Sequence, residues 1–329
     1  MIKYSKKELI KGIKNSERVL LSRAITLAES QKEEHRRYIH DIIEKLLPDT
    51  GKSLRIGITG VPGVGKSTFI ESFGAYLINL GHKVAVLTID PSSKQSGGSI
   101  LGDKTRMPKL AVADNAYIRP SPAGISLGGV AGKTREAMLL CEAAGYNIVL
   151  VETVGVGQSE TAVSEMVDVF LLLMLSGAGD ELQGIKKGIM ESADIIAINK
   201  CDGDNIKKSM EAQMEYKRAV QMFPRKFENW ITEVLTVSAL ENVGMEEIWQ
   251  KLLKFESLSK KSNHFERNRS GQLINWFETE LHFLLNHHLM KTKGIQDNVK
   301  RMKSKISKGE ISSFRAADMI FYEFLSKVS

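Results

Sequence analysis

Residues 60–67 read Gly-Val-Pro-Gly-Val-Gly-Lys-Ser, between a β-branched run, Leu54 to Thr59, and a helical stretch, Ser67 to Leu80. A GxxxxGK[ST] pattern set between a strand and a helix is a phosphate-binding loop. Its glycines let backbone N–H groups turn inward around an anion, and the helix adds its positive dipole end. The feature commits the chain to an α/β architecture, because the loop needs a strand feeding a helix N-terminus. The expected phosphate contacts are Gly60, Val61, Pro62, Gly63, Val64, Gly65, Lys66, Ser67 and Thr68, with Lys66 on the β- and γ-phosphates and Ser67 on Mg²⁺. A second GKT, ending Gly128 to Thr134, has Leu127 where the first glycine belongs. Ser-Pro-Ala-Gly-Ile-Ser precedes it, so it reads as a loop and a helix start.

The surrounding texture agrees. Short apolar runs at Lys83 to Ile89, Asn147 to Val151, Val169 to Leu175, Ile195 to Asn199 and Val234 to Val237 alternate with helical stretches. Continuous apolar strands separated by helices predict a mostly parallel sheet covered on both faces. Residues 5–46 show helical periodicity through Leu20, Ala24 and Leu27, then Ile39, Ile42, Ile43 and Leu46, closed by Pro48 and Gly51. After a polar stretch, Ser257 to Arg269, three helical patterns follow. They run through Leu273, Ile274, Phe277, Leu281, Leu284, Leu285 and Leu289, then Ile295 to Ile306, then Phe314 to Phe324. The expected organisation is a helical extension over 1–53, a P-loop domain over 54–256 and a helical region over 257–329. The last must bury its stripes on the parent domain or on a second copy.

Asn199-Lys200-Cys201-Asp202 closes a strand, and NKxD there resembles the guanine motif of GTPases. An aspartate accepts from guanine N1–H and the exocyclic amine, donors that adenine does not offer in that arrangement. Ser238-Ala239-Leu240 follows a further strand, as the loop that closes over the base does. GTP is thus favoured over ATP. Glu152 to Gly155 ends another strand, where an acid can hold Mg²⁺ through water and the Gly155 N–H can meet the γ-phosphate. Asp90 and Asp103 are further candidate oxygen ligands, or solvated loop acids. Val156 stands where many GTPases place the glutamine that orients the attacking water, which predicts slow hydrolysis without a partner. Lys186 is a candidate to neutralise phosphate charge, or belongs to a solvated helix start.

These residues closely resemble one family. Gly60 to Thr68, Asp90 to Ser93, Gly97 to Met107, Glu152 to Glu160, Gly177 to Glu191 and Asn199 to Asp202 are similar to the methylmalonyl-CoA mutase-associated GTPases (MeaB, ArgK and MMAA proteins, SIMIBI class). The likeness runs from about Leu20 to the C-terminus. It implies a GTPase chaperone that gates cofactor delivery to an adenosylcobalamin-dependent acyl-CoA mutase, protects it, and is stimulated by it. It implies a homodimer through the C-terminal helices. It places Asp103 and Glu152 near Mg²⁺, Asp90 in the first switch region and Lys186 in a third. Mg²⁺-GTP would order loops 91–107, 155–160 and 177–190, and hydrolysis would release them. Departures are small: Lys94 to Ser96 fills a variable stretch, and Asn147 stands where Asp is usual.

Composition bounds the alternatives. The chain of 329 residues carries a net charge of +7, divided as +4 over 1–54, −3 over 55–256 and +6 over 257–329. The basic excess lies on the flanks, away from the motifs, and reads as solvated helix faces rather than a nucleic-acid stripe. No apolar run spans a bilayer. Two cysteines, Cys141 and Cys201, build no disulfide framework, and the start shows no apolar leader, so a cytoplasmic protein is expected. A metallochaperone-type GTPase for another metalloenzyme shares the guanine motifs. It needs a Cys/His site, however, and the His282, His287 and His288 cluster lies on an amphipathic helix.

Overall fold

The computed structural model describes residues 3–90, 107–122, 127–153, 159–177 and 187–328. Seven strands form one sheet in the order β3-β2-β4-β1-β5-β6-β7. They are β1 (Leu54–Gly60), β2 (Val84–Asp90), β3 (Ala116–Pro122), β4 (Ile148–Thr153), β5 (Val169–Leu175), β6 (Ile195–Asn199) and β7 (Glu233–Thr236). Every pairing is parallel. β1, β4 and β6 are buried throughout, which is why they read as unbroken apolar runs. β1 lies between β4 and β5. From β1 the chain runs to β2 and the edge strand β3, returns to place β4 between β2 and β1, and then crosses to β5 for the other half. The carboxyl end of β1 is therefore the topological switch point, where open α/β sheets bind ligands.

β3 corrects the sequence reading, which expects no strand ahead of Gly128. Pro120 and Pro122 hide it, and β3 tolerates them because it is an edge strand, with donors needed on one side only. Of the loop and helix start expected at the second GKT, the helix is found: Leu127–Ala143 already includes it in its first turns. Thr134 is buried there, and Lys133 faces Ser30 O (3.4 Å) and Glu136 (3.8 Å).

In chain order the helices are α1 (Lys6–Lys14), α2 (Arg18–Ala28), α3 (Glu33–Leu46), α4 (Lys66–Asn79), α5 (Pro108–Val112), α6 (Leu127–Ala143), α7 (Ser159–Ser164), α8 (Lys187–Ser192), α9 (Ile206–Val220), α10 (Met245–Lys261), α11 (His264–Lys291), α12 (Ile295–Ser307) and α13 (Ser313–Val328). A Ser5/Glu8 capping box starts α1. α2 buries Leu21, Ala24, Ile25 and Ala28, one residue round from the expected Leu20, Ala24 and Leu27 stripe. α1, α2 and α3 all contact α6. The polar stretch 257–269 is helical: α10 runs to Lys261 and α11 begins at His264, anchored by Phe265 beneath the Arg269 guanidinium, 4.4 Å from its ring.

A buried ion network ties the amino ends of the sheet. Arg55 donates to both oxygens of Glu142 (2.7 and 3.0 Å), while its backbone N–H and Arg269 converge on Asp168 (2.7 to 2.8 Å). The fold divides into two units, Met1–Gln272 and Leu273–Ser329. Within the second, Asn298 donates to Glu323 (2.6 Å), linking α12 to α13.

Candidate functional site

β1 delivers the chain to Gly60, whose φ of 156° and close approach to β5 exclude a side chain: a Cβ would lie 2.5 Å from the Leu173 carbonyl. Gly65, at φ 91°, turns the loop into α4, and its Cβ would lie 2.9 Å from Asn199 Nδ2. These contacts hold the loop close to two neighbouring strand ends. Val64 is fully buried beneath it, and Thr68 is exposed on the first turn of α4. Lys66 Nζ donates to Gly60 O (2.8 Å) and Val61 O (3.2 Å), so its ammonium lies over the mouth of the loop.

Two oxygen donors meet beside it. Ser67 Oγ donates to Glu152 Oε1 at 3.2 Å. Glu152 is 5% exposed and lies level with Ile58 on β1 and Thr88 on β2. Next to it the buried hydroxyl of Thr153 donates to Thr59 (2.7 Å), pinning β4 to β1 at the same level.

The guanine motif is assembled by side chains. Asn199 Nδ2 donates to the Val64 carbonyl (2.8 Å), and its Oδ1 accepts from Ala239 N–H (3.1 Å). One buried amide thus joins the phosphate loop, β6 and the 238–240 loop. Asp202 Oδ2 accepts from Ser238 Oγ (2.6 Å), which orients the carboxylate. Ser238 Oγ in turn accepts from Glu241 N–H (3.1 Å), and Ser72 of α4 donates to Ala239 O (2.5 Å). Leu240 stands exposed at the loop tip. Lys200, between Asn199 and Asp202, has φ 61°, which is uncommon for a residue with a Cβ.

The structure therefore brings together Gly60 to Thr68, Glu152, Asn199 to Asp202 and Ser238 to Leu240. Asp90 ends β2. Asp103, Gly155 and Lys186 lie outside the described residues, as do most of loops 91–107, 155–160 and 177–190. Among the described residues no three His, Cys, Asp or Glu side chains converge as a metal site, the three C-terminal histidines included. Sequence reasoning misses Glu71, Ser176 and Asn205. Glu71, on α4 one turn after Ser67, accepts from Lys109 N–H (2.5 Å) and Leu110 N–H (3.2 Å) and so caps α5. Asn205 carries a signal in hindsight, since it lies three residues beyond Asp202.

A phosphate loop at the switch point, a strand-end acid facing its serine and a braced NKxD loop define a P-loop GTPase. The comparisons give the particular family. Residues 21–293 match the family described as "Methylmalonyl Co-A mutase-associated GTPase MeaB", and the chain belongs to it. The protein named GTPase ArgK from Escherichia coli (strain K12) is 48% identical over 282 residues, 86% of this chain and 85% of its own. The mouse (Mus musculus) protein named methylmalonic aciduria type A homolog, mitochondrial, is 42% identical, covering 97% of this chain and 79% of its own. A solved structure described as LAO/AO transport system kinase matches with TM-score 0.76 at 38% identity, covering 98% of this chain and 97% of that one. No helix among the described residues is long and apolar enough to cross a membrane.

Proposed function

We propose that this GTPase is a Mg²⁺-dependent chaperone of an adenosylcobalamin-dependent acyl-CoA mutase, with methylmalonyl-CoA mutase the first candidate, gating cofactor delivery and protecting the mutase. The observation that carries the partner is the family match across residues 21–293, since the family is described by its association with that enzyme. The organisation that goes with it is a helical extension over 1–53, the GTPase domain over 54–256 and a dimerisation region over 257–329, in a cytoplasmic homodimer.

Ser67 and Glu152 suit Mg²⁺, being hard oxygen donors from two elements that meet at 3.2 Å. Bound there with GTP, Mg²⁺ would neutralise charge on the β- and γ-phosphate oxygens. The loop N–H groups between Gly60 and Thr68, Pro62 having none, cradle the phosphates. Lys66 turns its ammonium from the Gly60 and Val61 carbonyls to the β- and γ-phosphates. Asp90 and Asp103 complete the oxygen set, the Gly155 N–H meets the γ-phosphate, and Lys186 neutralises charge that develops on it. Asp202 reads guanine, Lys200 flanks the base, and Asn199 with Ser238, Ala239 and Leu240 shapes the pocket. Hydrolysis is slow alone, because Val156 cannot orient water, and the partner accelerates it.

The test is GTP turnover, with ATP as control, measured alone and with a cobalamin-dependent methylmalonyl-CoA mutase. A slow GTP-only rate that rises with the mutase supports both chemistry and partner. A rate indifferent to the mutase keeps the GTPase and removes this partner.

A further inference from the structure

We propose that Asn205 is a positioning residue for base recognition, holding the backbone of Lys200 in the conformation that presents Asp202 to guanine. The inference rests on the guanine reading above and deepens it.

Asn205 stands at the N-cap of α9, where an asparagine oxygen ordinarily accepts from a backbone N–H of the first turn. Here it makes no such bond. Its Nδ2 donates instead to the Lys200 carbonyl at 2.7 Å and faces Ser209 Oγ at 3.3 Å, while its Oδ1 accepts from Ser176 Oγ at 2.8 Å. The orientation of the amide is fixed by chemistry, because the Lys200 carbonyl can only accept. The residue it holds is the one with the left-handed backbone, φ 61°, inside the NKxD sequence.

That backbone conformation is disfavoured for a residue with a Cβ and persists where the surroundings over-determine it. Lys200 is braced on two sides. Upstream, Asn199 is locked to Val64 and Ala239; downstream, the Asn205 N–H closes a turn onto Asp202 O (3.0 Å), and the Cys201 N–H meets Val237 O (3.0 Å). Ser238 aims the Asp202 carboxylate, and the Asn205 amide is the side-chain contact that fixes the peptide leading to it. Ser176 follows β5, whose last residue, Leu175, pairs with Asn199. Asn205 therefore holds the base-reading loop, which follows β6, beside the neighbouring end of β5. Loss of the Lys200 contact lets that loop relax and moves Asp202 relative to the phosphate loop, while Lys66, Ser67 and Glu152 keep their places.

The experiment measures equilibrium affinities for GTP, ITP and ATP in wild-type protein, Asn205→Ala, Asn205→Asp and Ser176→Ala, with thermal melting alongside. Inosine lacks the exocyclic amine, so the GTP-over-ITP ratio reports how well the Asp202 carboxylate is placed. Asn205→Asp keeps size and acceptor but cannot donate to the Lys200 carbonyl. Both Asn205 variants should compress the GTP-over-ITP ratio by about two- to tenfold, the worth of one such hydrogen bond, with ITP affinity changed less than GTP affinity. Ser176→Ala, which spares the Lys200 contact, should keep the wild-type ratio. A merely structural role would lower the melting temperature and weaken all three nucleotides together. Folded Asn205 variants with an unchanged ratio, collapse of the ratio in Ser176→Ala, or variants that do not fold at all would each overturn the inference. Wild-type protein that does not prefer GTP over ITP and ATP would instead overturn the guanine reading itself.

Discussion

Glu142 and Lys66 illustrate two ways a single charge is held. Burial would raise the Glu142 carboxyl, but the Arg55 guanidinium, the Ser53 hydroxyl and the Gly51 N–H more than offset it, leaving the group below the usual carboxylate range. A carboxyl depressed in the folded state contributes stability that is present above its unfolded pKa and fades as pH falls through the folded one. Glu142→Gln should cost about 3–5 kcal/mol at neutral pH, the usual penalty for breaking one side of a buried pair. It should also lose less than wild type on acidification. Urea denaturation at pH 7 and pH 4 reads both effects. Lys66 is half-buried, held by the two carbonyls of the loop it serves. Lys66→Ala should weaken GTP on the order of 10²-fold, since charge-assisted contacts to phosphate are lost. Unaltered affinity in a nucleotide titration would remove Lys66 from the site. Asp202→Asn should weaken GTP and shift preference toward xanthosine triphosphate, whose base offers a carbonyl where guanine carries its amine. An unchanged base preference would remove Asp202 as the reader.

Among the elements, α4 does more than end the phosphate loop. Glu71, 8% exposed, caps α5, and Gly74 one turn later leaves room for Leu110, which a Cβ would approach to 2.7 Å. Glu71→Ala would leave two N–H groups without their carboxylate, a loss of about 2–4 kcal/mol in urea denaturation. Glu71→Gln, which still accepts, should lose less. How far the sequence could be read follows from the same physics. Six strands were legible because burial on both faces makes them continuous apolar runs, and the P-loop and NKxD because their chemistry needs fixed spacing. β3 was not, because an edge strand admits Pro120 and Pro122. Glu71 capping Lys109 and Leu110 spans 38 positions, and Asn205 bracing Lys200 is an asparagine in a turn. Neither residue type announces its role, since what gives each its role is a backbone group that the fold brings to it; the one local signal is the place of Asn205 three residues beyond Asp202. The one-residue rotation of the α2 stripe has the same origin: Leu20, Leu21, Ala24, Ile25, Leu27 and Ala28 offer two adjoining apolar faces, and packing selects between them.

At the scale of the whole molecule, the second unit has more apolar surface than its own core uses. Along α11, Leu273, Ile274 and Phe277 are 58%, 61% and 66% exposed, and Leu281, Phe283, Leu284 and Leu285 are exposed as well. On α13, Phe314, Phe321 and Tyr322 stand open. Contiguous apolar patches beyond a few hundred Å² are rare on monomers, and a stable two-fold interface needs about 1,200–2,000 Å² in all. These two helices are themselves charge-balanced, α11 with three basic and three acidic residues and α13 with two of each, so net charge does not draw copies together and apolar burial must supply the association. The proposed homodimer should therefore appear as twice the chain mass in light scattering and should persist in high salt, which screens ion pairs but does not weaken apolar burial. Placing a charge in the seam, with Phe277→Glu and Leu281→Glu together, should give a monomer. Its intrinsic GTP turnover should stay near wild type, since neither residue belongs to the nucleotide site. A wild-type monomer would remove the homodimer, and a double variant that remains dimeric would move its interface elsewhere; either outcome leaves these faces to a different partner.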